Sequence, residues 1–475
     1  MLIKIETQNT NAISNDRYRL GYHIMPKSGW INDPNGFSYF NGYYHIFYQH
    51  YPYAPEWGPM HWGHARSKDL VHWETLPIAL TPGDTEDKDG CFSGTGIVKD
   101  DTLYLFYTGH HYYGDNDPDH FWQNQNMAFS QDGLHFTKYQ HNAIIPKPPE
   151  DNTHHFRDPK VWQHGDDYYM IVGSQNNESL GRIILYRSHD LLSWDYIGPV
   201  DMSNGQQIEG YMWECPDLFE LDGQHVLLFS PQGMDAEEEQ YLNLFQNGYF
   251  VGDFDYDNHR FTRDNFKELD HGHDFYAPQT MQTPDGRRIL IGWMAMWESH
   301  MPEKEDGWSG ALTLPRELHL NHGHLYMTPI EELKQLRKDE GVHDTMTVSE
   351  RTLLSEGMKQ VELNLLLPQQ NFKLQLTSQQ SELLSVDYDA TKCKFTLYRN
   401  DLNDCRYTTI KLSAQLKLQM YIDTSSVELF INDGEAVFTE RFYSETAPKI
   451  WVSADSPIKL NTHIYELAEN AIQFD

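Results

Sequence analysis

Trp30-Ile-Asn-Asp-Pro-Asn-Gly36 leads directly into Phe37-Ser-Tyr-Phe-Asn-Gly-Tyr-Tyr-His-Ile-Phe-Tyr-Gln-His50. The second stretch contains two short aromatic runs that alternate in period two and are split by Asn41-Gly42, the strongest short hairpin signal. A carboxylate and a turn-forming Pro-Asn-Gly come immediately before it. The sequence therefore predicts a β-hairpin with Asp33 at its mouth.

The same layout recurs four more times along the chain. The later copies occupy residues 91–107, 157–172, 214–229 and 277–292. A second signature, a serine followed by Asp two positions on and by Trp or Phe six positions on, follows three copies, with a looser fourth case at 255–261. The copies open about sixty residues apart, close to the ~40–50 residues of a propeller blade plus loop insertions. Units that cannot bury their own faces are most simply closed into a ring, which predicts a five-bladed β-propeller.

Three acids fall near the openings of these copies. In a propeller the innermost strand of each blade lines the central channel, so residues at equivalent positions point toward one axis. We assign that position to Asp33, Asp158 and Glu214. Each could be an ordinary turn residue or rim charge, but their shared place in the repeat, with Arg157 beside Asp158, favours three acids that meet in one funnel.

The length of 475 residues predicts a second domain, because it exceeds one typical core. The repeats end near residue 320, and residues 330–338 have the pattern of a short amphipathic helix. Beyond it, short alternating strands with Asn/Asp-Gly turns are typical of a β-sandwich. We therefore predict an all-β protein, a five-bladed β-propeller followed by a C-terminal β-sandwich, with the propeller at 1–328, a linker helix at 329–344 and the sandwich at 345–475.

Charge and hydropathy limit the partners. A net charge of −34 counts against nucleic acid and anionic membranes, which are bound through Lys and Arg. A neutral substrate fits this field better, and one with a single phosphate would need a local basic cluster. The first ten residues contain no apolar core of signal-peptide length, and no apolar run approaches the ~18 residues of a membrane span. We therefore expect a cytoplasmic protein, and the packing of a sandwich beside a propeller offers surface for a homodimer.

No cofactor and no metal are expected. The four cysteines, Cys91, Cys215, Cys393 and Cys405, form no Cys-x-x-Cys pair, which indicates neither a disulfide framework nor a thiolate zinc site. Pairing of Cys393 with Cys405 across a hairpin is the less favoured alternative. Residues 110–125 are rich in His and Asp but have no regular ligand spacing, so we interpret them as a solvated loop at the funnel rim.

Paired carboxyl groups in a funnel indicate glycoside hydrolysis. That reaction needs one carboxylate as nucleophile or base and one carboxylic acid as proton donor on opposite sides of the scissile bond. At this point the motifs become specific. Trp30–Gly36, Phe92-Ser-Gly94, Phe156-Arg-Asp-Pro159 and Trp213-Glu-Cys-Pro216 resemble the signature motifs of the glycoside hydrolase family 32 β-fructosidases. The resemblance extends along nearly the whole chain, through Trp308–Arg316 and Val427–Gly434.

This resemblance implies a retaining β-fructofuranosidase on a propeller followed by a sandwich. By analogy, Asp33 is the nucleophile, Glu214 the acid/base, and Asp158 a third acid that stabilises the oxocarbenium-like transition state. Arg157 is expected to hold fructose hydroxyls together with Asp158. The remaining substrate-binding residues implied by the family are Asn32, Gln49, Trp57, Phe92, Ser93, Tyr276 and Trp293. For Trp57, packing between blades is the alternative to a sugar-binding wall.

Several functions stay open at this stage. The first is hydrolysis of sucrose, sucrose 6-phosphate or short fructo-oligosaccharides, with fructosyl transfer depending on acceptor loops. The second is an inverting arabinan-type glycosidase, because similar propellers also place three acids in the funnel. The third and least favoured is a sugar-binding propeller without catalysis.

Overall fold

The structure is a computed structural model that describes residues 12–203, 209–379 and 381–474. The N-terminal ten residues, on which the signal-peptide prediction depends, lie outside these ranges. Regular structure within them is almost entirely β-strand, with short 3-10 helices at Pro302–Asp306 and Glu331–Leu336. The predicted all-β class is therefore confirmed. No helix among the described residues has the length and hydropathy that crossing a membrane requires.

Five sheets follow one another along the first part of the chain. Each is built around an antiparallel meander of four strands, and the predicted five-bladed propeller is confirmed. In chain order the strands of the blades are β1 Gly29–Phe40, β2 Tyr43–Tyr51, β3 His61–Ser67 and β4 Trp73–Leu80; β5 Gly90–Lys99, β6 Thr102–Tyr112, β7 Phe121–Ser130 and β8 Thr137–Lys138; β9 Asn152–His164, β10 Asp167–Asn176, β11 Gly181–Ser188 and β12 Asp195–Met202; β13 Met212–Leu221, β14 Gln224–Gln232, β15 Gly248–Asp255 and β16 Arg260–Arg263 with β17 Lys267–Glu268; and β18 Tyr276–Gln282, β19 Arg288–Trp293, β21 Arg316–Asn321 and β22 His324–Pro329. The short β20, Trp308–Ser309, pairs in parallel with the start of β1.

The first hairpin forms where the sequence predicts it. Asn41 and Gly42 have φ values of 51° and 80°, and Phe40 pairs with Tyr43 across them. Two positive φ values in a two-residue turn match the right-handed twist of the flanking strands, and Asn-Gly supplies them at low cost.

The core of the ring lies between neighbouring blades. Trp213 and Phe229 of the fourth blade, for example, join Ile171 and Leu185 of the third in one buried cluster. Each blade thus buries its two faces against its neighbours, as stacked repeat units must.

The C-terminal part forms two six-stranded antiparallel sheets that pack face to face over a core of Leu, Val, Ile and Phe. The strands of the first sheet are, in sheet order, β23 Val342–Val348, β34 Ile458–Glu466, β25 Val361–Pro368, β30 Gln415–Asp423, β31 Ser426–Ile431 and β32 Ala436–Arg441. Those of the second are β24 Thr352–Ser355, β33 Lys449–Ser453, β26 Phe372–Ser378, β27 Ser381–Asp389, β28 Lys394–Arg399 and β29 Asp404–Thr409. The predicted sandwich is confirmed.

Two features depart from the predicted domain division. The 3-10 helix Glu331–Leu336 is shorter than the predicted linker helix at 329–344, and β23 already begins at Val342. The last strand, β35 Ile472–Gln473, pairs in parallel with β4 of the first blade although the sequence assigns it to the sandwich. The remaining boundaries stay predictions.

Buried charges join the two parts. Arg316 of β21 donates to Asp270 Oδ2 at 2.8 Å and to Glu428 Oε2 of the sandwich at 2.7 Å, and all three side chains are fully buried. His23 lies between Asp423 Oδ2, at 2.8 Å, and Glu428 Oε1, at 3.0 Å. Buried charges persist only when they are paired and hydrogen-bonded, so these contacts specify one docking of propeller on sandwich.

The two prospective disulfide partners are free thiols. Cys405 lies opposite Tyr398 in the β28–β29 pair, whereas the carbonyl of Cys393 accepts the Ile410 N–H at the other end of that pair. The alternative of a Cys393–Cys405 disulfide is therefore wrong, because the two residues do not face each other.

Candidate active site

The innermost strands of the blades are irregular at one shared place. The ladder to the second strand shifts register directly after Phe92, Arg157, Glu214 and Tyr276, and between Ile31 and Pro34 in β1. Such bulges redirect side chains and often lie beside active sites. Pro159, Pro216 and Pro278 lie within these shifts, as expected for a residue without a backbone donor, whereas Pro34 pairs with Tyr48 directly after its shift.

These shifts define two sets of equivalent residues around the channel. The first, which we call the glutamate ring, comprises Asn32, Phe92, Arg157, Glu214 and Tyr276. The second, which we call the aspartate ring, comprises Asp33, Ser93, Asp158, Cys215 and Ala277. The predicted equivalence of Glu214 with Asp33 and Asp158 is therefore wrong by one residue. Glu214 shares its register position with Arg157 and Tyr276.

The three acids nevertheless converge. Cys215, which directly follows Glu214, brings its thiol to 3.6 Å from Asp33 Oδ2 and 3.7 Å from Asp158 Oδ2. Its backbone N–H donates to Asp158 Oδ2 at 3.0 Å. The Asp33 and Asp158 carboxyl groups thus meet at Cys215, and the charge of the neighbouring Glu214 acts on both of them. A shared catalytic role of the three acids stays a prediction.

Asp33 is held by hydrogen-bond donors from two blades. Ser93 Oγ donates to Asp33 Oδ2 at 2.6 Å, and Asn32 Nδ2 donates to Oδ1 at 3.0 Å. Trp30 Nε1 in turn donates to Asn32 Oδ1 at 2.7 Å, which orients the amide. Burial raises the pKa of Asp33, and the donors from Ser93 and Asn32 oppose that rise by stabilising the carboxylate.

Glu214 is held by a different pair of residues. Arg157 Nε donates to Oε1 at 2.8 Å, and Nη2 lies 2.8 Å from the same oxygen. The Tyr276 hydroxyl donates to Oε2 at 2.5 Å. Burial, followed by the nearby Glu214 charge, raises the pKa of Tyr276 well above its usual range, so this hydroxyl stays a donor. Each oxygen of Glu214 therefore has its own partner, which orients the carboxyl group.

Asp158 combines an unusual backbone conformation with a buried carboxyl group. Its backbone has φ of 67°, an uncommon conformation outside glycine, and its N–H donates to Thr108 Oγ1 at 3.0 Å. Burial, followed by the charges of Glu214 and Asp33, raises the pKa of Asp158 to about 7 although Arg157 opposes the rise. A carboxyl group that titrates near neutrality can both accept and donate hydrogen bonds to a ligand.

Two of the predicted subsite aromatics differ in accessibility. Trp57 is 42% exposed, and its ring meets Phe92 edge-on at 5.9 Å. Trp293 is 0% exposed and packs between Trp30 and Trp297. The Trp293 ring therefore has no exposed face in this structure, and its predicted contact with sugar stays a prediction. Trp57 presents a free face, as a sugar-binding wall requires.

Three other predicted subsite residues are engaged with the protein. Asn32 and Ser93 donate to Asp33 as described, and Gln49 Nε2 donates to the Cys91 carbonyl at 3.0 Å. Gln49 is 2% exposed, so it fixes the start of the second blade against the first in this structure. Sugar contacts by these residues stay predictions.

The predicted solvated loop at 110–125 is confined to residues 113–120, which are exposed and lie between β6 and β7. His110 and His111 belong to β6 and are buried, and residues from 121 onward form β7. The His110 ring stacks on Phe92 with centroids 4.2 Å apart. No group of three or more His, Cys, Asp or Glu in the described ranges is arranged to hold a metal ion; independence from metals and cofactors stays a prediction.

Sequence reasoning missed two residues of this site, Cys215 and His155, whose Nδ1 lies 2.9 Å from Arg157 Nη1. Aligning the copies on their X-Pro dipeptides would have placed Cys215 with Asp33 and Asp158, since Asp33-Pro34, Asp158-Pro159 and Cys215-Pro216 share this signal. His155 carries no such signal. Its contact with Arg157 depends on side-chain direction within β9.

Family comparisons agree with this geometry. A sequence model of the glycosyl hydrolases family 32 N-terminal domain matches residues 23–329, and the model of the family 32 C-terminal domain matches residues 332–465. The chain belongs to glycosyl hydrolase family 32. The predicted resemblance is confirmed, and with it the assignment as a glycosidase.

Individual family 32 relatives are similar over most of their length. A sucrose-6-phosphate hydrolase of Escherichia coli is 44% identical over 432 residues, covering 89% of each chain. One from Bacillus subtilis is 38% identical over 477 residues, covering 97% of each chain. Among solved structures, a Bombyx mori family 32 beta-fructofuranosidase has a TM-score of 0.88 at 40% identity, covering 97% of this chain and 96% of that one. The sucrose-6-phosphate hydrolase of Lactobacillus gasseri has a TM-score of 0.86 at 33% identity, covering 96% and 95%.

Proposed function

We propose that this protein releases β-D-fructofuranosyl units from sucrose and sucrose 6-phosphate by a retaining double displacement. The observation that carries the proposal is the pair of acids from separate blades with separate partners, Asp33 with Ser93 and Asn32, and Glu214 with Arg157 and Tyr276. Relatives named sucrose-6-phosphate hydrolase and beta-fructofuranosidase support the substrate class.

In the first step, the Asp33 carboxylate attacks the anomeric carbon C2 of the fructosyl group. The C2–O bond to the leaving group breaks, and Glu214 transfers its proton to the departing oxygen. The product is a fructosyl ester on Asp33 and a free alcohol, glucose or glucose 6-phosphate. The hydrogen bonds from Ser93 and Asn32 stabilise the Asp33 carboxylate against the effect of its burial.

In the second step, Glu214 acts as a base. It takes a proton from a water molecule, whose oxygen attacks C2, and the bond to Asp33 breaks to regenerate the carboxylate. Two inversions at C2 return the original configuration. Asp158 stabilises the oxocarbenium-like transition states and binds fructose hydroxyls, with Arg157 beside it.

Replacement of the two acids tests these roles. We expect Asp33→Ala and Glu214→Ala each to lower kcat for sucrose by at least about 1,000-fold with the fold intact, since each removes a group that acts on the reacting bond. Glu56→Ala, which removes an exposed acid next to Trp57, is the control and should retain activity. Near-normal hydrolysis by either of the first two variants removes that residue from the mechanism.

Rescue by azide, a small anion, distinguishes the role of Asp33 as nucleophile from that of Glu214 as acid/base. Azide can replace water in the second step without a base, so it should restore turnover of an activated aryl fructoside by Glu214→Ala and yield a β-fructosyl azide. It should not restore turnover by Asp33→Ala, which cannot form the ester. Equal responses of the two variants contradict the assignment.

Stereochemistry and substrate range test the reaction itself. NMR of the first fructose released should show the β-anomer; the α-anomer would indicate inversion. Sucrose, sucrose 6-phosphate and kestose assayed side by side rank the substrates by kcat/KM, and we expect sucrose and its phosphate to lead. Cytoplasmic location and a homodimer stay predictions, which fractionation and light scattering check.

A further inference from the structure

Arg157 has a third and a fourth contact besides those to Glu214. Its Nη1 lies 2.9 Å from His155 Nδ1, and its Nη2 donates to Gln232 Oε1 at 3.3 Å. We propose that His155 is a positioning residue that fixes the guanidinium plane of Arg157 and thereby orients the acid/base Glu214. This inference rests on the proposed function, in which Glu214 transfers the proton.

The direction of the hydrogen bond follows from the chemistry of the partners. A guanidinium group carries five N–H donors and no acceptor, so the ring nitrogen facing it must offer a lone pair. His155 is therefore neutral and carries its proton on Nε2. Burial, then the charges of Arg157 and His154, lower the pKa of His155 to about 2, which keeps Nδ1 available as an acceptor throughout the working range of a hydrolase.

Local structure holds the ring in place. His155 and Arg157 are two residues apart in β9, and side chains at that spacing point to the same face of a strand. The His155 carbonyl accepts from Asn152 Nδ2 at 2.8 Å, and the His155 N–H donates to Thr153 Oγ1 at 3.3 Å. Phe121 meets the ring edge-on at 5.4 Å. The acceptor is thus fixed before substrate arrives.

The N–H groups of the Arg157 guanidinium face three different acceptors. The Nε side faces Glu214, Nη1 faces His155, and Nη2 reaches Gln232. Loss of the His155 acceptor leaves a half of the fork without its partner, so Arg157 can rotate and the Glu214 carboxyl group loses its fixed direction. A misplacement of about 1 Å can cost about 100-fold in rate.

Three variants test the acceptor. His155→Leu removes it, His155→Asn puts an amide oxygen close to the place of Nδ1, and His154→Leu is the matched control, since His154 is an exposed neighbour that stacks on the same ring. For sucrose we expect His155→Leu to lose about 10- to 100-fold in kcat with little change in KM, the sign of an interaction made only in the transition state. His155→Asn and His154→Leu should stay within about 3-fold of the parent on the same scale.

A substrate with a better leaving group shows whether the loss of activity in His155→Leu acts through Glu214. An aryl fructoside with an acidic phenol departs without protonation, so kcat/KM, which reports the first step, should fall far less for His155→Leu on this substrate than on sucrose. An equal loss of kcat/KM on both substrates in His155→Leu overturns the proposal, and so does an effect of that variant on KM alone or no effect at all. A loss of kcat in His155→Asn or His154→Leu as large as that in His155→Leu also overturns it. Failure of the parent protein on both substrates would instead overturn the proposed function.

Discussion

The protonation state of Asp33 depends on a balance between burial and two hydrogen bonds. Burial raises its pKa, and the donors from Ser93 and Asn32 lower it. A hydrogen bond to a charged group contributes about 1.5–3 kcal/mol, which is on the order of 1–2 pH units in a pKa. The hydroxyl at 2.6 Å is therefore strong enough to move the titration of the nucleophile measurably.

Ser93→Ala should shift the acidic limb of the pH profile. Without the hydroxyl the carboxylate is less stable, so the pKa of Asp33 rises and a higher pH is needed to ionise it. We expect the acidic limb of kcat/KM for sucrose to move up by about one pH unit. Thr95→Val is the control, because it removes from the same strand a hydroxyl for which the structure gives no hydrogen-bond partner. A limb that moves down, or moves equally in both variants, contradicts this account.

The sequence predicted which acids converge but not how each is held. Repeat spacing indicates which strands are innermost, and this was enough for Asp33, Asp158 and Glu214. It does not show where a bulge begins, so Glu214 was misaligned by one residue and Cys215 was overlooked. Family resemblance suggests Trp293 as a sugar contact, and only the three-dimensional packing shows that its ring is buried against Trp30.

The bulged strands act as elements that tie the blades together across the channel. The Gly94 N–H donates to Asn35 Oδ1 of β1 at 3.1 Å, and the Gly94 carbonyl accepts from Gln279 Nε2 of β18 at 2.9 Å. Strands of three blades thus meet at a residue without a side chain. A Cβ at this position would lie 1.9 Å from the Phe106 carbonyl oxygen, so the backbone itself must move to accept one.

Gly94→Ala should therefore damage both stability and activity. Overpacking typically costs about 1–3 kcal/mol, and here it also displaces Ser93 from Asp33. The urea midpoint should fall and kcat for sucrose with it. Gly96→Ala in the same strand is the control, because its Cβ meets nothing closer than the Gly36 carbonyl oxygen at 3.0 Å. Equal effects of the two substitutions would show that the close approach at Gly94 does not matter.

Elements with local signals were predictable, and those that depend on distant pairing were not. The Asn41-Gly42 hairpin and the alternating strands carry their own turn chemistry and periodicity. The pairing of Ile472–Gln473 with β4 depends on where the sandwich places the chain end, which no local pattern encodes. The linker became a 3-10 helix of six residues because β23 starts soon after it.

At the scale of the whole molecule, charged groups from both parts are buried where propeller and sandwich meet. Arg316 joins Asp270 to Glu428, and Arg399 donates to Asp274 and Glu440. The pairs that cross from propeller to sandwich, Arg316 with Glu428 and Arg399 with Asp274, join residues more than a hundred positions apart. Such pairs leave no spacing signal in the sequence, so this interface could not be predicted. It holds the propeller and the sandwich in one arrangement, and its histidine members are His23, which contacts Glu428, and His273, which contacts Glu440.

His23 should make the stability of this interface depend on pH. Burial lowers its pKa, but the hydrogen bonds to Asp423 and Glu428 outweigh that and raise it above the unfolded value of about 6.5. A raised pKa means that the folded state holds the proton more tightly. The stabilisation is therefore fully present below about pH 6.5 and is lost as pH rises through the higher folded-state pKa. Despite burial, the pKa of Asp423 is lowered by His23, and that of Glu428 by Arg316 and then His23. The stabilisation from these two carboxylates is therefore lost as pH falls through their folded-state pKa values.

His23→Gln carries no titrating charge and isolates this contribution. The difference in Tm between parent and variant should be largest between about pH 5 and 6.5 and should shrink toward pH 9, because only the protonated imidazole pairs with both carboxylates. His72→Gln, which removes a half-exposed imidazole paired with Asp69, is the control and should change Tm little at any pH, since exposed ion pairs contribute about 0–1 kcal/mol. A difference for His23→Gln that stays constant or grows with rising pH would mean that His23 is neutral in the folded protein, and positive charge beside Asp423 and Glu428 would then come from Arg316 and not from His23.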